Sequence, residues 1–591
     1  MSDIKRLFDI IYFAREKFND KSALAGKKNG KWIVYSQQDF IDNTNAVSSA
    51  LLEMGVEKGE LVVNISDNRP EWNFLDMGLL QIGAVHVPVF PTISQEELAY
   101  ILDEVKPRFI FLSNRYLYKK VEKAWEKGAD AKIFSFDNGT DNGVHSFWNL
   151  IVKGKENPAE KTLEKARNAV AEDDLASVIY TSGTTTMPKG VMLTHKNHLA
   201  NVMITASSIG IDETMNILSY LPLSHSYERM VNYICMLKGL TVYYNESMSN
   251  IIANFKYVRP GILITVPLLL ERIYKGIINK KDELKGISKY IYKLALRFAL
   301  RKKDASKELT FFDQLLKRVF DKLVYSKWRA MMGGEVKKII CGGSALSRDI
   351  YAFFNIVGIP VHEGYGVTEL APLISYNNTE YDRPGTVGQP LVNVMVRISE
   401  EGEILAKGPN LMQGYYNHPD LTADAIDREG WYHTGDFGYW RDSNYLTISG
   451  RKKNIFKNAS GTYVYPERIE NQLKLSSFVE HVLIVGEYQE YLSALIVLNR
   501  DYIKKWAQNE GLDEDIRNVI EHRALKTQID ELIRSYNNEA RDTHQIKAYK
   551  LLTDEWTIEN GDLTPSMKLK RNNLTQRYAK EIRSFYDGRN V

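Results

Sequence analysis

Short apolar runs alternate with helix-like segments over most of the chain, and this alternation most constrains the fold. Runs rich in β-branched and aromatic residues are Leu61–Ile65, Val85–Val89, Phe109–Leu112, Ser177–Tyr180, Ile262–Val266 and Lys338–Cys341. Between them, Gln95–Val105 and Tyr116–Lys127 place apolar residues at helical spacing. Such alternation is typical of helices that cover buried sheets. The sequence therefore predicts an α/β fold with mixed β-sheets flanked by helices.

The C-terminal quarter has a different pattern. Two strand-like runs, His481–Gly486 and Ser493–Leu498, precede the charged helical segment Asp501–Tyr536 and a polar tail. This pattern predicts a smaller α+β domain. We place the junction at residues 451–453, which divides the chain into a large body of several packed subdomains (1–450) and a C-terminal domain (451–591).

Composition excludes several classes of protein. Cys235 and Cys341 are the only cysteines, too few for a disulfide framework or a cysteine-based metal site. The net charge of +3 argues against a nucleic-acid-binding protein. The first 18 residues interleave charged and apolar side chains, so we expect no secretory signal, and no apolar run is long enough to span a bilayer. A reducing, cytoplasmic location is the expectation.

One segment, residues 275–329, breaks the even distribution of charge. It contains 16 Lys and Arg against 6 Asp and Glu, so the rest of the chain carries a net charge of −7. Apolar residues recur in it at helical spacing: Ile287, Tyr290, Ile291, Leu294, Phe298, Leu315, Leu316, Val319, Phe320 and Leu323. Basic amphipathic helices of this kind bind anionic membrane surfaces. Two helices that pack an apolar stripe on the core also fit, and this alternative is favoured because the stripe must be buried somewhere.

The most informative motif runs from Tyr180 to Val191, directly after the predicted strand. Its sequence is YTSGTTTMPKGV, which combines five Ser and Thr hydroxyls, Gly183 and Lys189. Such a turn offers many hydrogen-bond donors and a point charge suited to phosphate. It is not a Walker A loop, because Pro188 precedes the lysine and Gly190 follows it.

This loop resembles the phosphate-binding signature of the adenylate-forming superfamily, which includes acyl-CoA synthetases, luciferases and adenylation domains of peptide synthetases. Further segments resemble the motifs of that superfamily in the same order: LPLSHSYER (221–229), CGGSAL (341–346), EGYGVTE (363–369), WYHTGDFG (431–438), GRKKNIFK (450–457) and LTPSMKLKR (563–571). Together they span residues 180–571. The recurrence of so many motifs in order makes coincidence an inadequate explanation.

The resemblance implies a role for each matching residue. Nucleotide and phosphate binding falls to Thr181, Ser182, Gly183, Thr184, Thr185, Lys189, Gly343, Ser344, Ala345, Glu363, Gly364, Tyr365, Gly366, Asp436 and Arg451. Glu369 is the implied Mg²⁺ ligand, and Thr368, His225 and Lys568 are the implied catalytic residues. Asp436 would bind the ribose, Lys568 would bridge the substrate carboxylate and the α-phosphate, and Lys453 would be the pivot of a mobile C-terminal domain. For His225, a base for the thiol step and a histidine satisfied in a polar pocket remain equal alternatives.

The implied reaction uses ATP, Mg²⁺ and coenzyme A. A carboxylate attacks the α-phosphate and displaces pyrophosphate, and a thiol then attacks the acyl-adenylate. Residues 55–92, 222–229 and 450–470 resemble long-chain fatty acyl-CoA synthetases more than acetyl- or aryl-specific relatives. The alternatives are a fatty acyl-AMP ligase that loads a carrier protein, and a nucleotide-binding scaffold without catalysis. An apolar substrate that partitions into membranes would favour contact between segment 275–329 and a membrane surface. The sequence does not decide the preferred length of the acyl chain or the oligomeric state of the protein.

Three positions depart from the superfamily pattern. Thr186 stands where glycine is usual, Leu268 where arginine is common, and Asn454 where aspartate is frequent. Threonine in a left-handed backbone would be strained. The sequence therefore does not decide the shape of the phosphate loop at Thr186. The other two positions bear on substrate entry and domain closure.

Overall fold

The computed structural model describes residues 4–19, 21–125, 130–137, 143–181, 187–211, 213–301, 310–378, 382–512 and 515–587. Its strands, in chain order, are β1 Ser22–Lys28, β2 Lys31–Ser36, β3 Leu61–Ile65, β4 Val85–Val89, β5 Phe109–Leu112, β6 Lys132–Ser135, β7 Val144–Ser146, β8 Leu175–Thr181, β9 Lys189–Thr194, β10 Asn216–Ser219, β11 Thr241–Tyr244, β12 Ile262–Thr265, β13 Lys338–Cys341, β14 Val361–Gly366, β15 Leu373–Tyr376, β16 Gln389–Pro390, β17 Met395–Ile398, β18 Glu403–Lys407, β19 Gly414–Tyr415, β20 Tyr432–Arg441, β21 Tyr445–Arg451, β22 Phe456–Lys457, β23 Tyr463–Val464, β24 Val479–Val485, β25 Leu492–Leu498 and β26 Ile546–Leu552.

The helices alternate with these strands. In chain order they are α1 Asp9–Phe18, α2 Gln37–Glu53, α3 Pro70–Leu80, α4 Gln95–Val105, α5 Arg115–Ala124, α6 Phe147–Glu156, α7 Glu160–Ala169, α8 His195–Ser208, α9 Ser226–Leu237, α10 Ile251–Val258, α11 Pro267–Glu283, α12 Gly286–Arg301, α13 Phe311–Phe320, α14 Ser326–Ala330, α15 Arg348–Ile356, α16 Pro419–Ala425, α17 Pro466–Leu473, α18 Arg500–Glu510, α19 Ile516–Val519, α20 Arg523–Glu539, α21 Arg571–Arg577 and α22 Ala579–Ser584.

Mixed sheets form the large body. An eight-stranded sheet has the order β19-β9-β8-β4-β3-β5-β6-β7, in which β8 and the strands on its β4 side run parallel. A five-stranded sheet has the order β12-β13-β14-β15-β16 and begins with three parallel strands. A further four-stranded sheet, β17-β18-β20-β21, is antiparallel. Parallel strands present their carboxyl ends at one edge, where ligands bind in open α/β sheets.

The C-terminal part has its own hydrophobic core. Strands β24, β25 and β26 form a separate sheet, and helices α17 and α20 pack on it through apolar residues such as Leu473, Ile496 and Ile529. A second small cluster around Leu495 and Trp556 covers the opposite face of the sheet. A separate C-terminal domain, as expected from the sequence, follows from this arrangement.

The predicted elements agree closely with the structure in both the large body and the C-terminal domain. Strand Leu61–Ile65 and helix Gln95–Val105 have the predicted bounds. The charged helical segment expected over 501–536 is present as three helices, α18 to α20, within the described residues. Gly511, with φ of 68°, ends α18 in a left-handed cap, and the side chain of His522 caps the start of α20.

A buried charged cluster joins α3, β4 and α9 in the body. The carboxylate of Asp76 lies 2.6 Å from Arg229 Nη2 and accepts a hydrogen bond of 2.7 Å from the Tyr233 hydroxyl. His86 Nδ1 lies 2.6 Å from the same carboxylate. All four side chains are buried, so each charge depends on its partner. The cluster fixes α9, the helix that follows His225.

Residues of segment 275–329 divide between the core and the surface. Ile291, Leu294, Phe298, Leu316 and Phe320 pack against the second core of the body, in agreement with the favoured alternative. The other apolar residues of the set are exposed: Ile287, Tyr290, Leu315, Val319 and Leu323. The prediction that the apolar stripe of segment 275–329 is buried in the core is therefore wrong for half of these ten residues.

Candidate active site

The phosphate motif joins two neighbouring strands of the eight-stranded sheet. Strand β8 ends at Thr181 and β9 begins at Lys189, and the hydroxyl of Thr181 donates to the Lys189 carbonyl at 3.4 Å. The motif thus lies at the carboxyl end of β8, where the parallel strands open toward a ligand. The remaining loop positions lie outside the described residues: Ser182, Gly183, Thr184, Thr185 and Thr186.

Two glycine-bearing turns follow strands of the five-stranded sheet. Gly343, Ser344 and Ala345 are exposed just beyond the carboxyl end of β13, and Gly343 has a left-handed φ of 85°. Gly366 ends β14, where a Cβ atom would lie 2.1 Å from the Pro372 carbonyl oxygen. Both positions therefore require glycine, as the motifs imply.

Glu363, Gly364 and Tyr365 precede Gly366 in β14. Tyr365 is buried. Burial of the Glu363 carboxyl itself raises the pKa of that group to about 8. A carboxyl with that pKa is largely protonated at neutral pH and can donate a hydrogen bond as well as accept one.

Glu369 is linked to the phosphate motif through a tyrosine. The hydroxyl of Tyr415 donates to Glu369 Oε1 at 2.9 Å, and the Nζ of Lys189 lies 4.8 Å from the centre of the Tyr415 ring. The Glu369 carboxylate therefore lies at the hydroxyl end of Tyr415, and the Lys189 ammonium lies over its ring. Tyr415 was missed by the sequence analysis, and no motif there singles it out.

Thr368 lies beside the start of α9. Its hydroxyl lies 3.1 Å from the hydroxyl of Ser226, the residue after His225. The Nδ1 of His225 accepts a hydrogen bond of 3.1 Å from the backbone N–H of Tyr227. This contact places the ring proton of a neutral imidazole on Nε2. Burial, together with the charge of Lys568, lowers the pKa of His225 to about 4, so the ring is neutral at neutral pH.

Asp436 and Arg451 are cross-strand partners on β20 and β21. The Nε of Arg451 lies 3.3 Å from Asp436 Oδ1, and the hydroxyl of Tyr365 donates to Asp436 Oδ2 at 2.8 Å. Asp436 is buried, and burial raises the pKa of its carboxyl although Arg451 lowers it. The pair forms a fixed charged corner next to the tyrosine of the glycine-rich strand.

Lys568 reaches this corner from the C-terminal domain. It follows a tight turn in which the Thr564 hydroxyl accepts from the Lys568 backbone N–H at 3.1 Å, and the Thr564 N–H donates to the Lys568 carbonyl at 2.8 Å. Burial and the charge of Arg451 lower the pKa of the Lys568 ammonium from 10.5 to about 8, while the charges of Glu467 and Asp436 raise it. The side chain therefore lies within electrostatic reach of His225, Arg451 and Asp436 together.

Contacts between the two parts of the chain hold this loop in place. Lys570 Nζ lies 2.9 Å from Glu97 Oε1 of helix α4, with both side chains largely buried. Pro565 lines a small cavity together with Phe90, Tyr180 and Pro188 of the body. The Nδ2 of Asn471 donates to the Ala345 carbonyl at 3.4 Å. The lysine loop is thus docked against the phosphate motif.

Asn454 and Glu467 complete the surroundings of Lys568. The Nδ2 of Asn454 donates to Glu467 Oε1 at 2.6 Å. Glu467 was missed by the sequence analysis as a site residue, because its distance of a hundred residues from Lys568 gives no local signal. Lys453, the predicted pivot, lies exposed in the turn that follows β21.

A large α/β body with a separate C-terminal domain, which brings a lysine to the carboxyl ends of the body's strands, is the architecture of an adenylate-forming enzyme. The AMP-binding enzyme family matches residues 13–416, and the AMP-binding enzyme C-terminal domain matches residues 454–590. The chain belongs to the AMP-binding enzyme family.

Among characterised proteins, the chain is similar to long-chain acyl-CoA synthetases. It is 30% identical over 621 residues to the peroxisomal long chain acyl-CoA synthetase 6 of Arabidopsis thaliana, which covers 99% of this chain and 86% of that protein. It is 28% identical over 570 residues to the long-chain-fatty-acid–CoA ligase FadD15 of Mycobacterium tuberculosis, with 95% and 93% coverage.

Solved structures of adenylating enzymes share the fold. The adenylation domain of a carboxylic acid reductase from Segniliparus rugosus, in complex with AMP, superposes with a TM-score of 0.77 at 20% identity, covering 98% of this chain and 94% of that chain. The o-succinylbenzoate coenzyme A synthetase of Bacillus subtilis, with ATP and magnesium, gives 0.68 at 18% identity, with 96% and 99% coverage. Within the described residues, no helix has both the length and the hydropathy needed to cross a membrane.

Proposed function

We propose that this protein is an ATP-dependent fatty acid–CoA ligase that favours long-chain acids. It would form an acyl-adenylate with release of pyrophosphate and then transfer the acyl group to coenzyme A. The observation that carries this proposal is the position of Lys568, a lysine of the C-terminal domain close to the Asp436–Arg451 pair and to His225. The similarity to long-chain acyl-CoA synthetases supports the choice of acid and acceptor.

In the first half-reaction, a carboxylate oxygen attacks the α-phosphorus and the bond to pyrophosphate breaks. The ionised acid is already a nucleophile, so positioning and charge neutralisation supply the catalysis. Lys189 and Thr181, with Ser182, Thr184 and Thr185, would bind the β- and γ-phosphates. Thr368 would donate to the α-phosphate.

Lys568 would bridge the attacking carboxylate and the α-phosphate as the new bond forms. Its ammonium group can donate three hydrogen bonds, and Pro565 of the same loop lines a small cavity with Tyr180 and Pro188 of the phosphate motif. Stabilising charge where it develops in the transition state is commonly the largest catalytic contribution of a polar side chain.

The nucleoside would bind between β14 and β20. The Asp436 carboxylate can accept from both ribose hydroxyls, because Oδ2 accepts one hydrogen bond from Tyr365, Oδ1 forms an ion pair with Arg451, and each oxygen keeps a further lone pair. The turn 343–345 and strand residues 363–366 would contact the adenine.

Glu369 fits a Mg²⁺ ion that is held mainly by phosphates. Among the described residues, no group of three or more His, Cys, Asp and Glu could hold a metal ion, so a fully protein-built site is not what this chain offers there. Mg²⁺ commonly takes one or two carboxylates, several waters and substrate phosphates. When bound, the ion would neutralise phosphate charge, while the Tyr415 hydroxyl orients the Glu369 carboxylate.

The structure favours His225 as a hydrogen-bond donor over a base for the thiol step. Its Nδ1 already accepts from the Tyr227 N–H, so the atom that faces away from this contact carries the proton. A ring with a pKa of about 4 is also a weak base for a thiol whose pKa is about 8.5. We propose that Nε2–H positions the substrate carboxylate.

Thioester formation would require the C-terminal domain to leave this position. Lys568 lies near the Asp436–Arg451 pair, and in this proposal its loop would close the approach to the α-phosphate. We propose that residues 451–591 rotate about 451–453 after adenylation, which withdraws Lys568 and admits the thiol. The boundary between the two domains at residues 450 and 451 is part of this proposal.

A substrate panel tests the function. Purified protein with ATP, Mg²⁺ and acids from acetate through long-chain and aryl acids should release pyrophosphate fastest with long-chain fatty acids, and should form thioester once CoA is added. Accumulation of acyl-AMP without thioester would favour an acyl-AMP ligase that loads a carrier protein. Absence of acid-dependent pyrophosphate release would leave a nucleotide-binding scaffold.

We also propose a cytoplasmic location. Both cysteines are buried and unpaired, and burial raises the pKa of the Cys235 thiol. A chain with no disulfide to form has no need of an oxidising compartment. Localisation of a fluorescent fusion in the native cell would test this.

A further inference from the structure

Helix α13 presents an apolar face to solvent. The exposed fractions are 85% for Phe311, 66% for Phe312, 51% for Leu315 and 47% for Val319. At 3.6 residues per turn these four side chains fall within an arc of about 100°. Leu323, 44% exposed, continues the face into the following turn. We call these five residues the α13 face.

The opposite side of the helix holds it to the body. Phe320 packs against Phe298 of α12, with ring centroids 5.6 Å apart, and Leu316 packs on the same core. Thr310 and Asp313 form a capping box at the start of the helix. The exposed face is therefore a feature of a well-anchored helix, and two phenylalanines there have no role in packing the core.

Cations surround the α13 face. Arg318 and Lys322 lie beside the face, on the same helix and the turn after it, and neither forms a salt bridge with a carboxylate of the described residues. Lys317 lies on another side of the helix, one turn before Asp321, and its charge helps to lower the pKa of Asp321. Lys293 and Arg297 add exposed charge on the neighbouring helix α12. The wider segment has an excess of 10 positive charges. An apolar strip bordered by cations matches an anionic lipid surface, in which apolar side chains enter the acyl boundary and cations meet the headgroups.

We propose that the α13 face docks the protein on anionic membranes. A second copy of the chain fits this face poorly, because the same cations would meet across the interface. The proposal does not depend on the ligase activity, since it rests on the exposed side chains and their charge.

The test is flotation of the whole protein with vesicles of phosphatidylcholine, with or without phosphatidylglycerol. We expect binding only to the anionic vesicles, with loss of binding at high salt because surface charges are screened. The double substitution Phe311→Ser/Phe312→Ser and the triple charge reversal Lys317→Glu/Arg318→Glu/Lys322→Glu should each reduce binding by about tenfold or more. Thermal unfolding of each variant should match that of the parent protein, since these side chains are exposed.

Two control variants change exposed side chains elsewhere on the protein. Val392→Ser removes another exposed apolar side chain, and Lys119→Glu/Lys123→Glu/Lys165→Glu reverses three exposed charges with the same change in net charge. Both controls should bind as the parent does.

Three results would overturn the proposal. The parent protein could fail to bind anionic vesicles, the α13 variants could bind as well as the parent, or the controls could lose binding equally. A dimer in solution that Phe311→Ser/Phe312→Ser disperses would assign the face to a second copy instead.

Discussion

Replacing Lys568 by alanine should separate the two half-reactions. The change should nearly abolish formation of the acyl-adenylate and largely spare thioester formation from supplied acyl-AMP. The reason is structural, because the lysine reaches the Asp436–Arg451 corner only from the C-terminal domain in its present position. If that domain rotates before the thiol step, the lysine has no part in it.

The magnitude follows from the surroundings of the ammonium group. The pKa of Lys568 falls from 10.5 to about 8, because burial and Arg451 disfavour its charge. This difference corresponds to about 3 kcal/mol against the charged form in the absence of substrates. Phosphate and carboxylate oxygens supply the opposing charge, so the ammonium is stabilised when both substrates are bound. Removal of one such donor costs about 10²–10³-fold in rate, and we expect Lys568→Ala to lie at the upper end of that range.

The pH dependence provides a second measure of the same group. The protonated lysine is the active form, so kcat/KM for adenylation should be level below pH 8 and fall as the pH rises through about 8. This parameter reports the ionisation of the free enzyme. The Lys568→Arg variant should catalyse adenylation more slowly. Its guanidinium stays charged, so its kcat/KM should not fall at alkaline pH.

ATP–pyrophosphate exchange measures the first half-reaction, and thioester formation from synthetic acyl-AMP and CoA measures the second. Lys580→Ala, an exposed lysine of the same domain, is the control and should change neither. Equal loss of both half-reactions in Lys568→Ala would refute the rotating domain. An unchanged alkaline limb in Lys568→Arg would refute the assignment of the ionising group.

Four further substitutions test other parts of the structure. Glu369→Gln should raise the Mg²⁺ concentration needed for half-maximal pyrophosphate release by about tenfold, since one carboxylate ligand is lost. Lys570→Ala should slow adenylation severalfold and leave the thiol step unchanged, and it should cause no added loss in a Glu97→Gln background, because the two side chains form one contact. His225→Gln should keep thioester formation from acyl-AMP within about tenfold, whereas a loss of 10²-fold or more would mark a general base. Asp76→Asn should lower the free energy of unfolding by about 3–5 kcal/mol, seen as an earlier urea transition, because it leaves a buried arginine without its counter-charge.

Local sequence was sufficient where one segment decides its own structure. Helix Gln95–Val105 has the predicted bounds because Ser94 accepts a hydrogen bond from the Glu97 N–H and two glutamates lie in the first turn. Strand Leu61–Ile65 is an apolar run buried between neighbours on both sides. Such signals lie within a few residues of one another.

The rest of the site depends on contacts that no local pattern records. Tyr415 joins Glu369 to Lys189 although it lies far from both in sequence. The same limit explains why only half of the apolar residues singled out in segment 275–329 pack against the core. Helical spacing identifies which residues share a face, but only the tertiary structure decides that Phe320 meets the core and Phe311 meets solvent.

Asn454 shows how a departure from a motif can follow from its surroundings. Its amide donates to Glu467 at 2.6 Å, whereas an aspartate there would place a second carboxylate against the first. Burial and Arg451 lower the pKa of Lys568, and the charge of Glu467 opposes this effect. Asparagine therefore fixes the Glu467 carboxylate through a hydrogen bond and holds this carboxylate near Lys568 and Arg451. Asn454, next to the proposed hinge, and Lys568, the proposed catalytic lysine, are thus coupled through one glutamate, so the choice of asparagine at 454 bears on the proposed chemistry at 568.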